Sequence, residues 1–544
     1  MLPVFNNNPA FGSSSSGYGL NWTTETTLHY DKVFNKHSIK GLLGFTSEKT
    51  NDKSSNLESN RYPNNLVPWL AAVSGVITDG SSSMSEYSMI SYLARLNYNY
   101  AEKYYLTASF RADGSSRFGK ENKYGFFPSA SVMWRVTEED FMKSLKFLNQ
   151  LKLKLSYGET GNNFIGNYDH IATINYVRTI LGNTVAAGYS PARLPNPNLT
   201  WEKQRQINTG FESSFFGSRI NLDVDYYSST NTDLLLNVNV PTISGFSTSL
   251  QNIGEVKNHG WEFKLNTVNM KGKFNWTTDF NISFYKNKVT KLGPEGDPIR
   301  NDNHITQIGS PIGMFYGLIT DGVFLNQAEI DRGPIYNLGL ADVSRPGDIR
   351  FKDVSGPDGV PDGKITTDDY TIIGTPHPDF YYGLTNRFSY KNITVSIALQ
   401  GTQGNQIYSS ANTIRRLTRS RSRTLSTEIN WWKSETDPGD GKTVRPNNQP
   451  TGGIRLPNQR YLDTGSYLRI NNISLSYLFP RAISNKMQLK SLRLYATATN
   501  PFIFTKNTSF NPEVSNSRNA TAPGIDNNNY PVAKSLIFGI NVEF

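Results

Sequence analysis

"KSLIFGINVEF", residues 534–544, is the stretch whose reading decides the fold. Leu536, Phe538, Ile540, Val542 and Phe544 recur at every second position, and Ser535, Gly539, Asn541 and Glu543 stand between them. An extended strand throws successive side chains to opposite faces, so this period of two predicts a strand with one apolar and one polar face. The apolar face needs either the core of a soluble sandwich or the hydrocarbon of a bilayer.

The same alternation recurs along the chain. In "KFNWTTDFNISFY" (273–285), Phe274, Trp276, Phe280, Ile282 and Phe284 oppose Asn275, Thr277, Asp279, Asn281 and Ser283. "RINLDVDYY" sets Ile220, Leu222, Val224 and Tyr226 against Asn221, Asp223 and Asp225, and "LKLKLSY" sets Leu151, Leu153, Leu155 and Tyr157 against Lys152, Lys154 and Ser156. "NITVSIAL" (392–399) and "ISLSYLF" (473–479) repeat the pattern. Composition agrees with strands: aromatics make up 12% of the chain, with 29 Tyr and 30 Phe, and 44 Gly supply turns. Mean hydropathy is -0.48 and no apolar run approaches the ~18 residues of a membrane helix. Neither excludes a membrane, because a barrel strand crosses with about ten residues of alternating pattern.

The connections separate the two settings. Short turns are expected at 31–36, 101–103, 138–149, 216–218, 269–272, 390–392 and 480–487, and long polar segments near 49–85, 160–197, 232–252, 287–377, 401–465 and 500–532. Tight turns at one end and long loops at the other are the habit of an outer-membrane barrel, with apolar faces on lipid and tyrosines such as Tyr98, Tyr100, Tyr104, Tyr105, Tyr381, Tyr382 and Tyr390 in interfacial girdles. The fold expected is all-β, a transmembrane antiparallel up-and-down barrel. About fifteen strands can be counted, against the even number of single-chain bacterial barrels. The first, "GLNWTTETTLHYD" (19–31), would start on the long-loop side, so 1–544 reads as the C-terminal part of a larger barrel unless "GMFYGLITDGVF" (313–324) adds a strand. In this orientation Phe544 lies at the inner rim, where the barrel assembly machinery can read its ring as an address.

Other signals are weaker. The chain has no Cys and a net charge of +10, without the aromatic-interleaved basic stripe of a nucleic-acid binder, so no nucleic-acid partner is expected. The dense basic run "TIRRLTRSRSRT" (413–424) reads as a solvated loop, with anionic lipid headgroups or an acidic partner as the alternative. "MLPVFNNNPAFGSSSSGYG" lacks a charged segment followed by an apolar one, so it does not read as a secretory signal. Six scattered His, no zinc motif and no nucleophile elbow give catalysis no support.

"DGVPDGKITTDD" (358–369) places Asp358, Asp362, Thr366 and Asp369 at positions 1, 5, 9 and 12 of a calcium loop, with Gly363 at the turn. Val360 at position 3 and Asp rather than Glu at position 12 depart from that pattern, and a plain turn is the alternative. "DPGDGKT" (437–443) reads as a surface turn rather than a phosphate loop. "STEINWWKSE" (426–435) predicts a short loop helix, where Trp431 and Trp432 either stack on a sugar or partner or pack within the loop. Asp223, Asp225, Asp279, Lys152 and Lys154 are expected to line a hydrated interior as neighbouring opposite charges.

Three long stretches carry a resemblance: "SYLARLNYNYAEKYYLTASFRADGSSRFGKENKYGFFPSASVMWRVTEEDFM" (91–142), "LKLSYGETGNNFIGNY" (153–168) and "GDIRFKDVSGPDGVPDGKITTDDYTIIGTPHPDFYYGLTNRFSYKN" (347–392). With "YLDTGSYLRINNISLSYLFP" and "NPFIFTKNTSFNPEVS" they resemble the SusC/RagA family of TonB-dependent outer-membrane transporters. The resemblance implies a plugged barrel of about 22 strands, a SusD-like surface lipoprotein as lid, and energy from the TonB–ExbB–ExbD complex. It further implies oligosaccharide or peptide substrates and a Gram-negative, Bacteroidetes-like outer membrane. The family's regulatory-like sandwich, plug and TonB box are not found in this sequence. Two alternatives stand beside it: a soluble or surface-attached carbohydrate-binding β-protein, and a siderophore-type receptor without a lid.

Overall fold

A computed structural model describes residues 10–62, 76–182, 184–301, 303–336, 344–409, 430–446, 456–509, 511–513, 519–527 and 529–544. Fifteen strands form one antiparallel sheet: β1 (Ala10–Phe34), β2 (His37–Tyr62), β3 (Val76–Tyr100), β4 (Tyr104–Ser115), β5 (Tyr124–Arg135), β6 (Leu148–Asn162), β7 (Glu202–Phe215), β8 (Ile220–Asn239), β9 (Thr248–Met270), β10 (Phe274–Lys291), β11 (Phe380–Tyr390), β12 (Ile393–Gln403), β13 (Tyr467–Leu478), β14 (Ser491–Thr505) and β15 (Ser535–Glu543). Their hydrogen-bonded order is their chain order, the meander that the hairpin-like spacing predicts. The segment 313–324 gives only two four-residue strands, Met314–Gly317 and Thr320–Val323, in separate small sheets.

The chain forms two compact units, and β6, β7, β8 and β9 each contribute several residues to both. In the first unit, cross-strand register builds the row Leu28, Leu43, Ala94, Phe110, Pro128 over β1 to β5. One residue along, on the opposite face, lies His29, Leu42, Arg95, Ser109, Ser129, and the Ser109 and Ser129 hydroxyls are 2.6 Å apart. Leu28, Leu43 and Phe110 are 67%, 57% and 48% exposed. Each such side chain left in water forfeits roughly 1.5–3 kcal/mol, so a continuous sheet of them demands an apolar solvent. Around the Asn35–Lys36 and Ala101–Lys103 turns the rings of Phe34, His37, Tyr100, Tyr104 and Trp134 follow one another in stacked or tilted pairs, an interfacial belt at the short-turn end.

The second unit repeats the scheme. Trp276, Phe388, Val395, Leu475, Ala496 and Phe538 form one row across β10 to β15, and Asn275, Ser389, Thr394, Ser476, Tyr495 and Gly539 form the row beside it on the other face. Gly539 leaves room there for the Tyr495 ring, whose Cζ would lie 2.2 Å from a Cβ at that position.

Three corrections follow. The first strands are longer than predicted: Lys49–Tyr62 and the segment from Val76 continue β2 and β3 instead of forming a loop, and β1 starts at Ala10. This extension lacks apolar alternation and is held by polar ladders such as Ser16 with Ser55 and Ser54 with Ser83, each 2.7 Å apart. The segment 160–197 contains a hairpin, Ile174–Leu181 with Thr184–Pro191. The segment 287–377 is no plain polar loop. It folds around Leu318, Val323, Ile349, Phe351 and Ile365, joined by Val444 from a later loop, with Tyr336 and Tyr370 packed on them.

Candidate functional site

On the polar face of the second unit, the loop-side ends of β10 to β13 frame a cavity of about 810 Å³. Its floor is set by strand parity. Asn281 of β10 pairs with Gly383 of β11, Gly383 with Gln400 of β12, and Tyr381 with Thr402, which places these side chains on the face opposite the Trp276 row. A Cβ at Gly383 would come within 2.6 Å of Asn281 Oδ1, so glycine keeps this part of the floor open. Tyr285 and Tyr381 stack almost parallel, with centroids 5.9 Å apart and planes 7° from each other, and Tyr381 stays 42% exposed.

One wall is a fixed polar cluster. The buried Arg469 guanidinium donates to Glu513 and to Asn511 Oδ1 and lies over the Tyr467 ring. Glu513 Oε1 also accepts from Tyr467 Oη at 2.8 Å and Gln400 Nε2 at 3.1 Å, and Asn471 Nδ2 donates to Gln400 Oε1 at 2.6 Å. The opposite rim carries His377. Its Nε2 lies 2.7 Å from the Ile312 carbonyl, which can only accept, so Nε2 holds the proton and Nδ1 receives the Tyr285 hydroxyl at 3.3 Å. Burial lowers the His377 pKa from its ordinary value, outweighing the opposing pull of the Ile312 carbonyl, and keeps the ring neutral at pH 7.

The predicted site residues are dispersed. Asp369 is buried: its Oδ1 accepts from the Val354 and Ser355 N–H groups, and its Oδ2 from that of Thr366. Thr366 caps the following turn by accepting from the Asp368 N–H. Asp358 and Asp362 are exposed, the latter accepting from the Lys364 N–H. Among the described residues no group of three or more His, Asp or Glu side chains is placed to hold a metal ion. Trp432 packs on the Phe351 core and donates its indole N–H to the Leu325 carbonyl at 2.9 Å, while Trp431 is half-buried beside it. Residues 430–435 are not helical, and 426–429 lie outside the described residues, as does the basic run 413–424. In "DPGDGKT", Asp440 turns the chain by accepting from the Lys442 and Thr443 N–H groups. Burial works against its charge, yet these N–H groups and the Thr443 hydroxyl hold its carboxyl below the usual range. Phe544 follows β15 and is exposed.

Lys152, Lys154 and Asp225 do meet, through a residue outside the predicted set. Glu212 of β7 binds Lys152 at 3.1 Å and Lys154 at 3.2 Å, and Lys154 reaches Asp225 at 3.1 Å. Asp279 instead accepts from Asn266. The cavity residues carried one sequence signal, the polar half of each strand, but Pro376, His377, Glu513 and Gly524 reach it from loops that parity does not describe.

A protein-family model described as TonB dependent receptor-like, beta-barrel, matches residues 3–501. TonB-dependent receptor P3 of Formosa agariphila is 33% identical over 541 residues, 96% of this chain and 52% of that protein. TonB-dependent receptor SusC of Bacteroides thetaiotaomicron is 30% identical over 479 residues, 84% of this chain and 44% of that protein. Among solved structures, the RagAB peptide transporter superposes with a TM-score of 0.82 at 24% identity, over 98% of this chain and 56% of that one. The chain spans about half the length of the curated relatives it matches.

Proposed function

The chain belongs to the TonB-dependent receptor β-barrel family of the outer membrane, and from that premise we propose that it forms the barrel wall of an importer for an organic solute larger than a simple ion. The observation that carries this reading is the division of each strand pair into an apolar row and a polar row, the latter leading to an 810 Å³ cavity at the loop end. Lipid solvates the first and water and solute the second. The SusC/RagA resemblance supports a SusD-like lipoprotein as the lid, TonB–ExbB–ExbD as the energy source acting through N-terminal parts, and an oligosaccharide or a peptide as cargo.

The apolar rows argue against a soluble carbohydrate-binding protein, whose sheet would cover such a surface with its own second layer. Fractionation tests this directly. The receptor should resist salt and carbonate and leave the outer membrane only with detergent, and a surface lipoprotein should co-purify with it. Release by carbonate, or cells lacking the receptor that take up oligosaccharides and peptides as well as wild type does, would refute the importer.

A further inference from the structure

The importer reading leaves the cargo open between sugar and peptide, and the cavity chemistry separates them. A peptide is commonly held by adding a strand to a free sheet edge. Here β11, β12 and β13 are each paired on both sides, so the cavity floor offers no edge. Among the described residues lining the cavity, Glu513 is the only formally charged side chain, and the buried Arg469 behind it already balances that charge. A peptide's C-terminal carboxylate, a uronic acid or a sulfate would find no cation on this lining.

What the lining does offer is an exposed aromatic ring beside hydroxyl-binding groups. Tyr381 is braced from behind by the parallel Tyr285 ring, which is itself tethered to His377. The negative face of such a ring attracts the C–H face of a pyranose, whose carbons are made electropositive by their oxygens. Beside it stand the amides of Asn281 and Gln400 and the carboxylate of Glu513. Glu513 is pinned by Arg469, Tyr467 and Gln400, so ordering it for a ligand costs little further entropy. A carboxylate fixed by a buried arginine beside an aromatic plate is a built site rather than a chance concavity.

We infer that this cavity seats one ring of a neutral oligosaccharide on Tyr381, with Glu513, Gln400 and Asn281 binding its hydroxyls. The inference rests on the importer reading and fixes its cargo class. The full-length receptor, purified in detergent, is applied to an array of neutral, uronic and sulfated glycans and, separately, to a tryptic digest of casein. Neutral glycans should bind. Tyr381→Ala and Gln400→Ala should each weaken them by about tenfold, and Tyr381→Phe should retain them, at unchanged outer-membrane levels and heat-modifiable migration of all three variants. Failure of every neutral glycan to bind overturns the inference, as does equal binding by wild type and both alanine variants. Capture of casein peptides alone removes the sugar assignment and leaves the importer standing, whereas absence of the receptor from the outer membrane removes both.

Discussion

Leu42 and Leu43 are chemically identical neighbours on opposite faces of β2, and placing a charge at each measures what the two faces touch. Leu43 lies in the row with Leu28, Ala94 and Phe110, and Leu42 in the row with His29, Arg95 and Ser109. Leu43 is seven residues beyond Lys36 of the short turn, or about 23 Å along the strand and about 18 Å of depth at a tilt of about 40°. With an apolar band about 25 Å tall, that is near the middle of the hydrocarbon. Arginine there should therefore cost the full ~2–4 kcal/mol of a lipid-facing midplane site, a loss of roughly 30- to 900-fold in folding equilibrium. Leu42→Arg replaces a side chain on a face already lined by Arg95 and two serines, and should cost within ~1 kcal/mol. Reversible urea titration of the receptor in phospholipid vesicles reads both. Equal costs, or a greater cost at Leu42, would mean that the apolar rows do not face acyl chains, and the reasoning would fail with them.

Three further outcomes are expected. Phe351→Ala opens a cavity in the loop core at a cost of about 3–5 kcal/mol, so hydrogen exchange within 299–374 should accelerate strongly while the sheet keeps its detergent resistance; simultaneous loss of both would make the loop core part of the wall's own stability. Asp369→Ala strands three backbone N–H groups, at about 1.5–3 kcal/mol for each bond to a charged acceptor, and should destabilise the loop equally in EDTA and in millimolar Ca²⁺; a larger loss in Ca²⁺ than in EDTA would show that the wild-type 358–369 turn holds a metal. Because burial depresses the His377 pKa, the folded state binds fewer protons than the unfolded one, so its contribution is full above about pH 6.5 and declines as pH falls below that value. Exchange protection around Ile312 should follow this profile and flatten in His377→Phe, and protection that rises on acidification would contradict the neutral ring.

Much of the sheet was legible because the bilayer imposes a strict period. "KFNWTTDFNISFY" and its neighbours pair in the register their alternation requires, and the short turns fall where they were read. The extensions of β1 to β3 were illegible for the opposite reason. Beyond the hydrocarbon both faces meet water, so stretches such as Ser13–Ser16 and Ser81–Ser83 pair without any alternation to betray them. The loop core was hidden because Leu318, Phe351, Ile365 and Val444 come from strands of two to four residues or from none, too short for a period. Lys152, Lys154 and Asp225 could be assigned to the wet face from parity, but their union through Glu212 depends on register between strands that no single segment encodes. Trp432 shows where residue type alone misleads, since an aromatic in a polar loop serves here as packing.

The shared core of the two surface loops carries an evolutionary consequence. Leu318, Ile349 and Phe351 from one excursion close on Val444 and Trp432 from another, and Leu318 N–H donates to the Pro457 carbonyl at 2.9 Å. Homologous recombination that exchanged either excursion alone would join mismatched halves, so donor lineages should contribute both together. Chimeric receptors built to transplant specificity need the pair as a single cassette, even though β11 and β12 separate the two in the gene.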